Sequence, residues 1–211
     1  MIYHITEVMR DVRIAIDQNM TSEQLLAEGD IDTLSLDDIV RSKILEAVRR
    51  VHTEAPPYML EGGHLFGEEL FWVGKGSGWV LLPDDFMRLI VFRMTDWERS
   101  VYTAISTDDP EYAKQSSRFK GIRGTTQKPV CAIAIRPEGR VLEFYSCKNE
   151  DAQVAQAVYI PLPYIDDNDG IDISPRCYEA IVYMAAGLVS TTIGEADKAS
   201  AFFELSKSVL Q

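Results

Sequence analysis

Residues 81–89 of this chain have the sequence Leu81-Leu82-Pro83-Asp84-Asp85-Phe86-Met87-Arg88-Leu89, and the hydrophobic pattern differs on its two sides. Before this stretch, apolar residues recur at helical spacing, and a glycine-punctuated segment typical of a hairpin follows them. Directly after it, Phe86–Met94 is rich in Leu, Ile, Val and Phe, which indicates a β-strand. The order of patterns therefore predicts a chain that contains both helices and strands.

The N-terminal part of the chain has the apolar spacing of amphipathic helices. Val8, Val12 and Ile16 recur every four residues and so share one helix face. Ser35 and Asp38 have the spacing of a capping box, which marks a helix start. The prolines at 56 and 57 end this helix because proline cannot continue its hydrogen bonds. The predicted helices are Thr6–Gln18, a short Thr21–Gly29 and Ser35–Glu54.

The middle of the chain has strand patterns separated by turn residues. Glycine-containing turns, Gly74-Lys75-Gly76-Ser77-Gly78 and Arg136-Pro137-Glu138-Gly139-Arg140, each lie between two apolar segments and predict hairpins. A short helix or loop is expected after Asp109-Pro110, and a basic loop at Phe119–Lys128. The predicted strands are Leu70–Val73 with Trp79–Leu82, Phe86–Met94 with Glu98–Ser106, Val130–Ile135 with Val141–Tyr145, and Ala157–Ile160.

Two further helices are predicted at the C-terminal end. Ser174-Pro175 is a strong helix start, because serine caps the helix and proline fits its first position. Helices are expected at Pro175–Ile193 and Glu195–Leu210, with Gly194 between them. The predicted fold class is α+β: a bundle of N- and C-terminal helices with an inserted antiparallel β-rich region. The expected divisions are residues 1–58, 59–173 and 174–211.

The charge of the chain limits the kinds of partner it can bind. The formal net charge is -12, with 33 acidic and 21 basic residues. A nonspecific DNA-binding protein carries the opposite sign, because its affinity comes from neutralising phosphates. An ordinary soluble surface explains the acidity. A sharper hypothesis is a surface that faces DNA without holding it.

Cysteine number and hydropathy exclude several other classes. Cys131, Cys147 and Cys177 are too few and too scattered for a disulfide framework or a zinc site. The N-terminal segment carries charges throughout, unlike a signal peptide. The apolar run from Tyr178 to Ile193 is too short and too amphipathic to span a bilayer.

Two loops resemble ligand-binding motifs but fail the tests for them. A phosphate-binding loop needs a following helix, whereas Gly74–Gly78 is followed by a strand pattern led by Trp79, so a hairpin turn is favoured. If Gly170 took the glycine position of a calcium loop, Ile165 and Arg176 would occupy ligand positions, and neither can ligate calcium. The segment Asp166–Asp172 is therefore predicted to be a solvated acidic loop.

No cluster of residues indicates catalysis. His4, His52 and His64 have no acidic or cysteine neighbours at ligand spacing. Cys177 has no histidine close in sequence, which disfavours a nucleophile. Asp84 and Asp85 are adjacent on an extended chain and would point to opposite faces, so a turn explains them more simply. We predict no catalytic, cofactor-binding or metal-binding residues and no cofactor.

Several stretches, taken in order, resemble a known family. They are Leu82-Pro83-Asp84-Asp85-Phe86-Met87-Arg88-Leu89, Lys128-Pro129-Val130 before Cys131-Ala132-Ile133-Ala134, Gly139-Arg140-Val141-Leu142-Glu143-Phe144, Tyr159-Ile160-Pro161-Leu162-Pro163-Tyr164 and the Ala-rich Glu179-Ala180-Ile181-Val182-Tyr183-Met184-Ala185-Ala186. With the preceding helices, this order resembles the head-to-tail adaptors of tailed bacteriophages, also called head-completion or tail-gatekeeper proteins. Many adaptors carry a long C-terminal tail that grips the portal, whereas this sequence ends at Val209-Leu210-Gln211.

The resemblance implies a structural protein of the virion and not an enzyme. Such a protein forms a homo-oligomeric, dodecameric ring below the portal, extends the DNA channel and docks the tail. Its partners would be further copies of itself, the portal protein and a tail or tail-completion protein, with DNA passing through unbound and no membrane involved. It would be found at the head–tail junction, and in the host cytoplasm during assembly.

Candidate residues for these roles follow from charge and aromatic character. The candidates for the channel lining are Asp108, Asp109, Asp166, Asp167 and Asp169. The candidates for subunit-interface aromatics are Trp72, Trp79 and Trp97, because tryptophan is enriched at interface centres. The alternative is that they are core residues, which is favoured for a monomer, whereas in a ring at least one is expected to meet a neighbouring copy. The alternative from another class is a small intracellular enzyme or ligand-binding domain with a pocket between sheet and helices. Lytic activity would need two facing carboxylates, and no such pair is evident.

Overall fold

The computed structural model describes residues 1–17, 35–60, 63–117, 119 and 121–211. These residues form five α-helices and ten strands in three sheets. The predicted helix Thr21–Gly29 lies outside the described residues. The chain divides into two units: a terminal unit of Met1–Gly62 with Leu162–Gln211, and a middle unit of Gly63–Pro161.

The terminal unit is built around one apolar helix. Its helices are α1 (Ile5–Asp17), α2 (Leu36–Glu54), α4 (Tyr178–Thr192) and α5 (Ala196–Val209). Helix α4 contacts α1, α2 and α5. It can do so because it is apolar on almost every side, with Ile181, Ala185 and Val189 fully buried.

The ends of α2 are where the sequence predicts them. The Ser35 hydroxyl accepts a hydrogen bond from the Asp38 amide at 3.2 Å, and Asp38 Oδ2 accepts one from the Ser35 amide at 3.2 Å. This reciprocal pair satisfies two backbone donors that a helix start would otherwise leave free. The helix ends at Glu54, ahead of Pro56. The predicted capping box is therefore confirmed.

A small sheet in the terminal unit has no counterpart in the sequence-based prediction. Strands β1 (Ile2–His4) and β10 (Gly170–Asp172) pair antiparallel. The amino group of Met1 donates to Asp172 Oδ1 at 2.6 Å and to the Ile173 carbonyl at 3.1 Å. Three-residue strands are too short to show a period of two, which is why the pattern did not reveal them.

The middle unit consists of two sheets and one short helix. One sheet has the order β2 (His64–Leu65), β9 (Val154–Pro161), β5 (Phe86–Met94). The other has the order β3 (Leu70–Gly74), β4 (Ser77–Leu81), β8 (Gly139–Phe144), β7 (Cys131–Arg136), β6 (Ile105–Ser106). Helix α3 (Pro110–Lys114) lies between β6 and β7 in the chain.

One hydrophobic core joins the two sheets of the middle unit. Phe144 and Leu142 enter it from β8, and Phe92 and Leu89 enter it from β5. The Phe92 and Phe144 rings stack with centroids 6.1 Å apart. Alternation along β8 sends Leu142 and Phe144 into this core and turns Glu143 to the opposite face of the sheet.

The stretch Leu81–Leu89 connects the two sheets. Leu82, Phe86 and Leu89 are buried in the core, and a turn between them is closed by the Phe86 amide bonding the Pro83 carbonyl at 3.0 Å. Asp85 Oδ1 accepts a hydrogen bond from the Tyr159 hydroxyl at 2.8 Å. Asp85 therefore ties the start of β5 to β9, and the predicted turn before this strand is confirmed.

The pairing of β5 differs from the sequence-based prediction. Glu98–Ser106 was expected to be its partner, but β5 pairs antiparallel with β9 along its length. An isolated bridge between Phe92 and Val101 is the link from the expected segment to β5. Trp97 belongs to the core at this point, so the chain after β5 folds inward, and the last two residues of the expected segment, Ile105–Ser106, pair with β7 instead of β5. By contrast, both predicted hairpins, β3–β4 and β7–β8, are confirmed.

The predicted fold class is wrong. Helices are not confined to a bundle of the two chain ends, because α3 lies in the middle region. The terminal unit contains a sheet of its own, and the middle unit is not wholly antiparallel, because β6 pairs parallel with β7. The described chain is instead a mixed fold with helices spread along it and three sheets.

His52 should make the terminal unit sensitive to acid. Burial lowers the pKa of His52 from 6.5 to about 4, although Asp172 opposes the shift. Between these pH values the unfolded chain binds a proton that the folded chain does not, so stability falls as pH falls from 6.5 to 4 and levels off below. At about 1.4 kcal/mol per pKa unit, we expect a loss of roughly 3 kcal/mol.

The measurement is urea unfolding followed by helical circular dichroism at pH 7, 5.5 and 4. The His52→Gln variant, which cannot titrate, should lose less stability across this window than the native chain. His4 and His64 are exposed, so His4→Gln serves as a matched control with the native pH dependence. Equal pH slopes for the native chain and His52→Gln would contradict the prediction.

Candidate functional site

The glycine-rich segment forms a tight hairpin and not a phosphate loop. Gly74 pairs with Ser77, which leaves Lys75 and Gly76 as the two turn residues. Both have positive φ, 58° at Lys75 and 72° at Gly76. A two-residue hairpin with positive φ at both positions favours Asn and Gly, and a lysine there is strained by about 1–2 kcal/mol. The Gly76 carbonyl accepts a hydrogen bond from the Cys147 amide at 3.0 Å.

The acidic loop of the terminal unit contains three of the channel-lining candidates, Asp166, Asp167 and Asp169. Two of them form hydrogen bonds within the protein. Asp166 Oδ1 accepts bonds from the backbone amides of Asn168 at 2.8 Å and Gly170 at 2.7 Å. Asp169 accepts a bond from Arg41 Nη2 at 2.5 Å. Asp167 is exposed. Asp166 and Asp169 thus stabilise the loop conformation, although the Asp169 side chain remains 45% exposed, and Asp167 faces solvent.

The other acidic pair belongs to the middle unit. Asp109 caps α3, since its Oδ1 accepts a bond from the Glu111 amide at 2.8 Å. Asp108 precedes it and is exposed. The five channel-lining candidates are therefore distributed over both units, with local structural roles for Asp109, Asp166 and Asp169.

The three tryptophans differ in how much surface they present. Trp97 is 2% exposed and Trp79 is 7% exposed, so both pack mainly inside the middle unit. Trp72 is half-buried and meets the Phe144 ring edge-on at 5.3 Å. Trp79 stacks on Phe71 at 4.1 Å, and Phe71 keeps 40% of its surface exposed. Phe71, rather than a tryptophan, is the aromatic side chain available to a partner on this face.

The cysteines are buried and unlinked to one another by disulfides. Burial raises the pKa of Cys131 well above its usual value and that of Cys147 to about 12. A protonated, buried thiol is a poor nucleophile. Cys177 is also buried, and its Sγ lies 3.7 Å from the Met59 carbonyl oxygen.

The most organised polar cluster surrounds Glu143, on the face of the five-stranded sheet opposite the core. Arg136, at the end of β7, donates to Glu143 Oε1 through Nε at 2.9 Å and Nη2 at 2.6 Å. Tyr112 of α3 donates to Glu143 Oε2 at 3.0 Å, and Tyr145 donates to the same oxygen. Both oxygens of this buried carboxylate are thereby satisfied.

The electrostatics of the cluster fix its protonation state. Burial on its own raises the pKa of Glu143, but the hydrogen bonds from Tyr145, Arg136 and Tyr112 outweigh it and leave the pKa below its usual value. Burial, reinforced by Glu143, raises the pKa of Tyr145 and that of Tyr112. At neutral pH the carboxylate is charged and the tyrosines keep their protons. None of these groups is poised to exchange a proton near pH 7, as acid–base catalysis requires.

Two adjoining clefts of the middle unit open beside this cluster. The larger has a volume of about 870 Å³ and is bordered by the Glu143 cluster, by the β3–β4 turn and by the segment after α3. The smaller, about 480 Å³, lies between the same turn and the segment after β8. Both are lined by Lys75, Arg123 and Tyr145. We call the two together the hairpin cleft.

Sequence reasoning missed this cluster because its members come from distant parts of the chain. Tyr112, Arg136 and Glu143 belong to α3, β7 and β8. One local signal was present: Glu143 interrupts the apolar strand Val141–Phe144, directly across a predicted hairpin from a strand that ends in Arg136. A charged residue in a strand that is otherwise apolar requires a partner on the neighbouring strand.

The chain matches no protein-family model and no curated protein sequence. Among the helices of the described residues, none combines the length and the apolar character needed to cross a membrane. In the same part of the chain, no three or more His, Cys, Asp and Glu side chains group together in a way that could hold a metal ion.

Proposed function

We propose that the protein is a non-enzymatic head-to-tail adaptor of a tailed bacteriophage. In this role it assembles as a homo-oligomeric ring below the portal, extends the DNA channel and provides a surface for the tail. It binds neighbouring copies of itself, the portal protein and a tail or tail-completion protein. The proposal begins from the sequence resemblance and gains support from the placement of the resembling segments and from one exposed surface.

The segments that carry the resemblance pair with one another. Leu82–Leu89 leads into β5, and Tyr159–Pro161 is the end of β9, the partner of β5. The stretches 131–134 and 139–144 are the two strands of one hairpin. The Asp85 carboxylate accepts a hydrogen bond from the Tyr159 hydroxyl. The contacts of these motifs are with the scaffold, which supports a structural role.

The observation that carries the proposal is an exposed apolar patch on β3 and β4. Phe71, Val73 and Leu81 are 40%, 63% and 42% exposed. Alternation places Phe71 and Leu81 on the face of the sheet that also bears Trp79. Val73, at an irregularity in the strand pairing, lines the cleft beside Glu143 on that face. Clustered apolar side chains on a protein surface mark contacts with other proteins. We assign this patch, Phe71, Val73 and Leu81, to the contact between neighbouring copies in the ring.

The ring should be visible in the purified chain, alone or with the portal protein. For twelve chains of 23.8 kDa, mass photometry should give about 286 kDa, and negative-stain images should show a closed ring. The double variant Val73→Lys with Leu81→Lys should abolish the ring, because two buried unpaired charges cost more than a copy-to-copy contact can offset. Tryptophan fluorescence would verify that this variant is folded.

Ile135 provides the matched control. It is more exposed than any residue of the patch, at 88%, but it alternates to the other face of the sheet. Ile135→Lys should therefore assemble as the native chain does. A chain that stays monomeric with and without portal protein, or a labelled antibody that fails to mark the head–tail junction of virions containing the chain, would contradict the proposal.

A second candidate function, ligand binding without catalysis, is favoured by the hairpin cleft. The cleft is of a size that suits small molecules, and charged and hydroxyl side chains line it. It lies within the middle unit, between the five-stranded sheet and the segment that includes α3. The cleft adjoins the ring-contact patch, because Val73 belongs to the patch and also lines the larger cleft.

A further inference from the structure

We propose that the hairpin cleft binds the phosphate group of a small molecule, with Lys75 and Arg123 as the residues that supply the positive charge. This site adjoins the ring-contact patch, because Val73 lines the larger cleft, but phosphate binding does not depend on the adaptor role. The inference rests on four observations: the unpaired charges, the conformation of Lys75, the anchoring of both segments that carry these charges, and the donors lining the cleft.

The cleft is basic in a chain that is strongly acidic. Four basic side chains and two acidic ones line it: Lys75, Arg123, Arg136, Lys148, Glu143 and Glu150. The charge of Arg136 is matched by Glu143. Within the part of the chain that the structure describes, Lys75 and Arg123 form no ion pair. The site thus has unmatched positive charge, although the chain as a whole carries -12.

Lys75 occupies a turn position that lysine disfavours. With φ at 58°, it takes the left-handed conformation that asparagine or glycine would adopt with less strain. The turn would form more readily with either of those residues, so folding does not explain the choice. Lysine at this position instead brings an ammonium group to the edge shared by both parts of the cleft. Local strain of this kind is commonly retained for function.

The segments that present the two charges are held in place. The β3–β4 turn is fixed by the bond from the Cys147 amide to the Gly76 carbonyl, at 3.0 Å. Next to Arg123, the Gly124 amide donates to Oε1 of the buried Gln115 at 2.8 Å, and Gln115 Nε2 donates to the Glu111 carbonyl at 2.9 Å. A preformed site loses less entropy on binding than a flexible one.

The lining of the cleft matches the chemistry of a phosphate. Several hydroxyl groups of the lining can donate hydrogen bonds to phosphate oxygens; they belong to Ser77, Ser117, Thr125 and Thr126. Two cations match the charge of a phosphate monoester near neutral pH. DNA is a poorer match, because the acidic surface of the chain repels a long polyanion more strongly than a small anion.

The test is a titration of the 211-residue chain with inorganic phosphate and with glycerol 3-phosphate, followed by ³¹P line broadening, with the native chain and its variants compared at the same assembly state. Binding of both probes is expected in the native chain, with saturation as protein is added. Lys75→Asn should weaken binding at least tenfold and yet unfold at the same or a higher urea concentration, because asparagine relieves the strain in the turn. Arg123→Gln should weaken binding to a similar extent.

Lys128 provides a matched control, because it is an exposed lysine of the same unit outside the lining of the cleft. Lys128→Asn should bind both probes as the native chain does. No broadening in the native chain, or equal binding by Lys75→Asn, would overturn the proposal. It would also be overturned if a short single-stranded DNA bound more tightly than glycerol 3-phosphate at the same salt concentration and lost affinity in Lys75→Asn.

Discussion

Replacing Gly76 with alanine should lower the free energy of unfolding of the middle unit by about 3–5 kcal/mol, among the largest effects of a single substitution. A Cβ at this position would lie 1.9 Å from the carbonyl oxygen of Cys147 and 2.8 Å from its carbonyl carbon. Both are backbone atoms, so the contact can be relieved only by moving the turn away from Cys147. The positive φ of 72° adds strain for any residue with a Cβ.

Urea unfolding followed by tryptophan fluorescence measures the stability of the middle unit, which contains Gly76. The three tryptophans of the chain, Trp72, Trp79 and Trp97, all belong to the middle unit. Two controls separate the causes. Gly139→Ala carries a positive φ of 133° and a nearest contact of 3.4 Å to the flexible Leu81 side chain, so it isolates backbone strain. Gly121→Ala would meet nothing within 4 Å.

We expect a loss of about 1–2 kcal/mol for Gly139→Ala and under about 0.5 kcal/mol for Gly121→Ala. If Gly76→Ala lost no more stability than Gly139→Ala, the close packing of the turn on Cys147 would not hold in solution. In that event the position of Lys75 at the hairpin cleft would not be fixed either, since the same contact between the turn and Cys147 anchors Lys75.

Local signals in the sequence predicted most elements but not their assembly. The capping box at Ser35 and the two hairpins were recognisable because neighbouring residues determine them. The pairing of β5 with β9 was not, because about 60 residues separate the strands and the nearer segment after Trp97 offered plausible strand residues. The short strands β1 and β10 left no periodic pattern to detect.

The candidate sites show the same limit. Sequence patterns favoured a hairpin turn at Gly74–Gly78, and the structure confirms it, because such a turn is determined locally. They could not reveal that Lys75 in this hairpin and Arg123 in a distant segment line one cleft. The sequence also left open whether Trp97 is a core or an interface residue, because it lies in a polar stretch; the structure places it in the core of the middle unit.

Replacing Glu143 with glutamine should lower the free energy of unfolding of the middle unit by about 2–3 kcal/mol. The change keeps the size of the side chain but removes the charge that balances Arg136. Loss of one partner from a buried ion pair costs about 3–5 kcal/mol. The effect here is expected to be smaller, because the Arg136 side chain is 32% exposed and water can screen its charge.

The pH dependence distinguishes this electrostatic effect from a loss of packing. Since the folded state holds the pKa of Glu143 below its usual 4.5, the carboxylate stabilises the fold fully above that value. This contribution is lost as pH falls through the lowered folded pKa, where the native side chain also becomes neutral. The stability difference between the native chain and Glu143→Gln should therefore be largest near pH 7 and shrink in acid.

Tryptophan fluorescence suits this measurement, because the Arg136 guanidinium lies 5.4 Å from the centre of the Trp79 ring. Glu138 lies in the turn between β7 and β8 and is exposed, so Glu138→Gln should change the free energy of unfolding by under about 0.5 kcal/mol. A Glu143→Gln loss that stays constant from pH 7 to pH 3.5 would mean that shape, not charge, holds Tyr112, Arg136 and Tyr145 together. Packing, and not charge, would then position the Glu143 cluster beside the hairpin cleft, and the charge balance inferred for the cleft would be wrong.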